Sequence, residues 1–258
     1  METQIDQKNS EDIIVEKPAP WGFWPTIGLS CIIITVFLFV RVITTIATVV
    51  VVKFVKPQLD LMTFAKGLDS NGLFLSFVSF VVSPLVIGLS VLFVKIRKNI
   101  TVKEYLLLNR VGWFQFLKWS LILLLFTACS DALTSVFGRP VVSDFMTKAY
   151  KTAYFPPLLW LAFIIMSPLY EEILFRGFMF KGIESSKLGP IGAVLITSLA
   201  WSMLHIQYDI LIIGVIFAGG LLLGWARLKT NSIYVPIVMH ALQNLLATSA
   251  VIIHLKWS

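Results

Sequence analysis

Apolar residues run through this chain in long, nearly unbroken blocks joined by short polar connections. Seven blocks stand out, at about Pro25 to Val52, Leu73 to Val94, Phe114 to Val136, Pro157 to Ile183, Gly189 to Ile206, Ile210 to Leu228 and Ile233 to Ile253. A helix needs roughly 20 apolar residues to cross the ~30 Å hydrocarbon core of a bilayer, and these blocks are of that order. In hydrocarbon every backbone polar group must be bonded internally, so such blocks predict helices. The expected fold class is an all-α polytopic membrane protein, a bundle of about seven transmembrane helices. The first block is too long for one untilted span. It can tilt, extend past the membrane, or break near Arg41 to make eight.

The polar connections refine this picture. Lys95 to Trp113 mixes apolar and basic residues and predicts a short interfacial amphipathic stretch. Gly138 to Phe155 is polar and is expected on the opposite face. Residues 1–24 are polar and net acidic, without the basic and apolar regions of a cleavable signal peptide. Met1 to Pro20 reads as a loosely held tail, and Trp21 and Trp24 mark the headgroup level where indole rings prefer to sit. Residues 25–258 are then one transmembrane domain, with a chemical core at 157–247.

Composition agrees with the pattern. The chain is 57% hydrophobic and 14% charged, where a soluble domain carries about a quarter charged residues. The net charge is +7, but the basic residues lie between apolar blocks, where they orient the chain. About 12 Lys and Arg fall on the N-terminal face and about 7 on the other, which places the N-terminus inside and, with seven spans, the C-terminus outside. No basic patch with interleaved aromatics points to a nucleic-acid partner. Cys31 and Cys129 both lie in apolar blocks and read as buried thiols acting as small hydrophobes, not as a disulfide or a metal cluster.

Ionisable groups inside hydrocarbon are costly and mark function by default. The fourth block contains Glu171, Glu172 and Arg176 in SPLYEEILFRG. Glu172 and Arg176 are four apart and share a helix face, while Glu171 points about 100° away. Arg176 can therefore hold Glu172 ionised and leave Glu171 free for chemistry. Pro168 can open the local hydrogen bonding, and Gly177 admits a close neighbour. A buried ion-pair network explains one Glu–Arg pair but not a second carboxylate beside it. The fifth block ends with Trp201 and His205, one turn apart; alone, such a histidine is more often packed than catalytic. The seventh contains His240 and Asn244, again one turn apart. Both can donate hydrogen bonds, to a developing oxyanion or simply as glue between helices.

Depth favours convergence. At 1.5 Å per residue, Glu171 lies roughly 18 Å, His205 roughly 24 Å and His240 roughly 14 Å from the inner ends of their segments. His254 stands apart near the C-terminus. Arg41 and Asp131 read as structural: they can pair with each other, or Arg41 can reach headgroups. In the sixth block Gly214-xxx-Ala218 and Gly220-xxx-Gly224 predict close helix packing.

Taken in order, Glu171-Glu172-xxx-Arg176, then Trp201-xxx-His205, then His240-xxx-Asn244 resemble the CPBP family. That family comprises the type II CAAX prenyl endopeptidases and the bacterial bacteriocin-processing or immunity (Abi-like) membrane proteins. The resemblance covers about Pro157 to Ala247; the aromatic before His205 is usually Phe and here is Trp201. The family commonly has eight helices, against seven counted here. The resemblance implies an intramembrane glutamate-type endopeptidase. Glu171 would activate water, His205 would help hold it, and His240 with Asn244 would form the oxyanion hole. Glu172, Arg176 and Trp201 would support the site. Zinc at Glu171, His205 and His240 has also been proposed for the family. From ligand chemistry, two His and one Glu can hold zinc, but no HExxH pair lies on one helix, and the cofactor-free water–Glu–His arrangement is preferred.

Three functions remain open at this stage. One is a protease acting on a membrane-associated peptide or membrane protein, not a prenylated one, in a prokaryotic plasma or inner membrane. The second is an immunity or partner-binding protein with no need of Glu171. The third is a transporter, which would be expected to show an inverted repeat; none is visible. Oligomeric state is not legible.

Overall fold

A computed structural model describes residues 20–257, so the expected N-terminal tail lies almost wholly outside the described residues. The described residues form helices and their connections, with no strand among them. Ten helices follow in order: α1 (Phe23–Val55), α2 (Leu61–Leu68), α3 (Gly72–Ile96), α4 (Val102–Leu106), α5 (Trp113–Val136), α6 (Asp144–Lys151), α7 (Pro156–Glu184), α8 (Gly189–Ser202), α9 (Ile210–Thr230) and α10 (Tyr234–Trp257). Among the described residues α1, α3, α5, α7, α9 and α10 are long and apolar enough to cross a membrane, and α8 is a shorter apolar helix. The protein is a multi-pass membrane bundle.

Two expectations about the blocks need correction. The first block does not break at Arg41: α1 is one helix of 33 residues, about 50 Å long at the α-helical rise, so it extends beyond the hydrocarbon. The fifth block ends at Ser202, not Ile206. Met203 to Asp209 turn out of the helix, and Asp209 caps α9 by accepting from the Leu211 and Ile212 backbone N–H groups. His205 therefore sits on a loop. An Asp fits the N-cap far better than a helix interior, which is the local reason α9 begins where it does.

The short helices cap the bundle. α4 falls within the Lys95 to Trp113 stretch and is opened by a Thr101/Glu104 capping box. α2 and α6 cap the opposite face, with Asp60 and Ser143 as N-caps; periodicity alone did not reveal them.

α7 packs extensively against α3, and α8 packs closely against α9. A side-chain carbon at Gly220 would lie 3.0 Å from the Ser198 Cβ, and one at Gly224 3.4 Å from Val194, whereas Gly214 faces open space. Both glycines of the second predicted small-residue pair make a helix contact. At Gly182 of α7 a Cβ would overlap Thr26 of α1, fixing the closest approach of those two helices. α7 is central: every residue from Glu172 to Phe180 is buried.

The outer helices explain two further corrections. Cys31 on α1 and Cys129 on α5 are free but exposed at the bundle surface. They lie on spans with few buried residues, so they face the acyl chains and not the core. Arg41 pairs with Asp69 at 2.9 Å, beside α2, and not with Asp131.

Candidate active site

The geometry of the site begins with Pro168. α7 is continuous but widens into π-type turns at Leu161–Met166 and Ile173–Met179, on either side of the Glu pair. Proline has no N–H to donate and crowds the carbonyl one turn back. In a π turn that missing donor leaves the carbonyl of residue 163 without its partner. Asn244 of α10 fills the gap, its Nδ2 donating to the Phe163 carbonyl at 2.8 Å. The Ser83 hydroxyl reaches the Met166 carbonyl at 3.3 Å, and Arg227 Nε donates to the Arg176 carbonyl at 3.2 Å. In a bilayer such carbonyls must find protein donors, and here three neighbouring helices provide them.

The two glutamates have different surroundings. Glu172 and Arg176 are both fully buried and 2.9 Å apart, the predicted contact one turn apart. The same Glu172 Oε1 lies 2.9 Å from His240 Nδ1. Arg176 also donates to the Gly220 carbonyl at 3.3 Å, and its guanidinium covers the Trp201 ring at 4.6 Å. Glu172 is therefore committed to holding α7, α9 and α10 together. Glu171 points elsewhere. Its Oε2 accepts from the Trp201 indole N–H at 2.6 Å, so it is not unpartnered, but it lines the main cavity, as do His205, His240 and Asn244.

Trp201 joins the three predicted elements. Its indole bonds Glu171, and its ring meets His205 edge-on at 5.0 Å and His240 edge-on at 5.2 Å between centroids. Sequence reading found it as the aromatic one turn before His205; its contact with Glu171 required the fold. His205 Nδ1 lies 3.0 Å from the Trp201 carbonyl. A carbonyl only accepts, so Nδ1 carries the proton and Nε2 keeps its lone pair. By the same logic His240 Nδ1 donates to the ionised Glu172 and leaves Nε2 as its second nitrogen. Tyr208 stacks on the far side of His205 at 6.4 Å.

The cavity measures about 820 Å³. One wall is apolar, from Phe37 of α1 and Val78, Val82 and Val86 of α3; the other carries the polar cluster. Arg41 and Asp69 also line it, as do Phe145 and Met146 of α6. It therefore extends from the polar cluster toward the face capped by α2 and α6. Neither Arg41 nor Asp69 was read from the sequence as part of a site, since their pairing joins separate helices.

Zinc needs three or four converging N, O or S ligands. Among the described residues no group of three His, Cys, Asp or Glu is placed to hold a metal. Glu171, His205 and His240 surround Trp201 instead of a common point.

Comparison with known proteins points to the same segment. Residues 153–246 match the family model for Rce1-like type II CAAX prenyl endopeptidases. A protein of Escherichia coli named as an uncharacterized 24.3 kDa protein is 35% identical over 101 residues, covering 37% of this chain and 46% of that protein. The membrane-embedded CAAX protease MroQ of Staphylococcus aureus (strain USA300) is 30% identical over 133 residues, covering 50% of this chain and 53% of that protein. The chain thus spans about half the length of the curated relatives it matches. No solved structure matches the chain. The matched segment runs from just before α7 into α10 and contains every side chain of the cluster, and over it the chain is similar to the Rce1-like type II CAAX prenyl endopeptidases.

Proposed function

We propose that the chain is an intramembrane endopeptidase that hydrolyses a peptide bond of a membrane-associated peptide or protein, with water activated by Glu171. One observation carries this reading. Of two adjacent glutamates, one is buried in an ion-pair network and the other lines a cavity shared with two imidazoles.

The chemistry follows from the hydrogen-bond directions. A water between Glu171 and His205 donates to the carboxylate and to the His205 Nε2 lone pair, which leaves its oxygen lone pair aimed at a substrate carbonyl. The water oxygen bonds to the carbonyl carbon and Glu171 takes the proton. The oxyanion is met by His240 and Asn244. Asn244 uses one of its two N–H bonds on Phe163 and keeps the second. His240 donates through Nε2 when both of its ring nitrogens carry a proton, Nδ1 being engaged with Glu172. Collapse breaks the C–N bond, and Glu171 returns the proton to the departing amine. A positioned base contributes about 10²–10⁴-fold, and donors fixed in a dry site add to this.

Zinc does not enter this scheme, because the residues present do not converge as ligands. Activity is expected to survive removal of divalent metal by a chelator. The relatives in two bacteria, and the count of about 12 against about 7 basic residues, support a bacterial plasma membrane with the N-terminus in the cytoplasm.

The test compares the membrane proteomes of cells carrying wild type and Glu171→Gln at equal protein level. We expect a peptide or protein that is shortened only with wild type. Unchanged cleavage with Glu171→Gln would end the reading. Protection against a peptide toxin that survives the same change would favour a non-proteolytic immunity protein.

A further inference from the structure

A second pocket, about 490 Å³, lies away from the cluster just described, where the α4–α5 connection meets the start of α10. It is lined by Lys103, Leu108, Asn109, Arg110 and Tyr234. Its frame is built, not incidental. The Asn109 side chain donates to the Asn231 carbonyl at 2.9 Å, the Ser232 hydroxyl donates to the Asn109 carbonyl at 2.7 Å, and the Ile233 N–H donates to the Leu107 carbonyl at 3.1 Å. Two connections that are distant in sequence are thereby clamped together.

The lining is cationic, with the Glu104 carboxylate interacting electrostatically with Lys103. Neither the Lys103 ammonium nor the Arg110 guanidinium has a hydrogen-bond or ion-pair partner among the described residues. The nearby acid, Glu104, is already committed. Its Oε2 accepts from both the Thr101 hydroxyl and the Thr101 backbone N–H, and these bonds hold its carboxyl below the usual range.

The position along the spans marks the membrane surface. Trp113 and Phe114 open α5 at 74% and 63% exposure. Tyr234 opens α10, and Lys229 lies over the exposed Trp225 ring at 4.9 Å. Aromatic rings beside cations at span ends are the signature of the headgroup layer. Lys95, Lys98, Lys118 and Lys187 lie on the same face of the bundle.

We propose that this pocket binds the phosphate of an anionic phospholipid from the adjacent leaflet. A guanidinium presents a planar fork to phosphate oxygens, and an ammonium adds a point charge. Basic pockets at the ends of membrane helices collect such headgroups. Leu108 provides an apolar side, and Trp113 and Phe114 lie beside it in the sequence that enters the membrane. The inference is independent of the reading of the cavity around Glu171.

The test uses the full chain in a non-ionic detergent, titrated with dioleoylphosphatidylglycerol and followed by native mass spectrometry. Phosphatidylcholine is the neutral control and inorganic phosphate the competitor. Wild type is expected to retain phosphatidylglycerol over phosphatidylcholine. Lys103→Gln/Arg110→Gln is expected to weaken that retention at least about tenfold, in line with the loss of two headgroup-facing cations. Lys148→Gln/Lys151→Gln, on the opposite face, is expected to leave it unchanged. Arg110→Gln alone, an exposed single change, is expected to fall between wild type and the double variant. Equal retention by wild type and Lys103→Gln/Arg110→Gln overturns the proposal, as does equal binding of phosphatidylcholine. Displacement by inorganic phosphate assigns the pocket to a soluble anion and overturns the lipid source.

Discussion

At the residue scale, Glu171 and Glu172 are neighbours in sequence with separable consequences on mutation. Glu172 Oε1 is shared by Arg176 and His240, all three side chains being buried. Removing one partner of a buried pair strands the other charge and costs about 3–5 kcal/mol. Glu172→Ala is therefore expected to lower thermal retention in detergent sharply, while Glu171→Gln leaves it near wild type. Equal stability of the two variants would contradict the buried network. Trp201 allows a finer test. Trp201→Phe keeps a ring between the two histidines but removes the N–H donated to Glu171. A hydrogen bond to a charged group contributes about 1.5–3 kcal/mol, so cleavage of the substrate found in the proteomic comparison is expected to slow by about 10–100-fold. An unchanged rate in a folded variant would remove the indole from the proposed mechanism.

At the element scale, the polar cluster around Glu171 depends on one irregular helix and one tight contact. Pro168 leaves a carbonyl of the first wide turn of α7 without its donor, and Asn244, Ser83 and Arg227 bond carbonyls within the two wide turns. The contact is at Gly220, where an added Cβ would come within 3.2 Å of Arg176 Nη2 and of the Ser198 backbone. Overpacking of this kind costs about 1–3 kcal/mol. Gly220→Ala is expected to lower the melting temperature in detergent. Gly214→Ala, which meets nothing within 4 Å, is expected to be neutral or stabilising, because alanine favours a helix by about 1 kcal/mol over glycine. A reversed order would show that α8 and α9 do not pack through Gly220.

At the scale of the whole molecule, the exposed apolar surface is the lipid-facing surface. Cys31 and Cys129 lie on it, so both are expected to react in intact membranes with a lipophilic maleimide and to resist a charged, membrane-impermeant one; rapid labelling of either by the charged reagent would place it at water. The blocks of apolar residues determined by themselves that the chain is a helical membrane bundle, because backbone in hydrocarbon has few other options. Spacing determined the Glu172–Arg176 contact, since a helix places residues four apart on one face. Other features were decided only by tertiary structure. Asp209 caps the next helix, so His205 lies on a loop; Arg41 finds Asp69 on a different element; His240 bonds Glu172 across 68 positions. Periodicity orients a side chain about its own helix axis, but which helices become neighbours depends on where small residues such as Gly182 and Gly220 let them approach. The contacts of Glu171 with Trp201 and of Glu172 with His240 were therefore settled by packing and not by the order of residues along the chain.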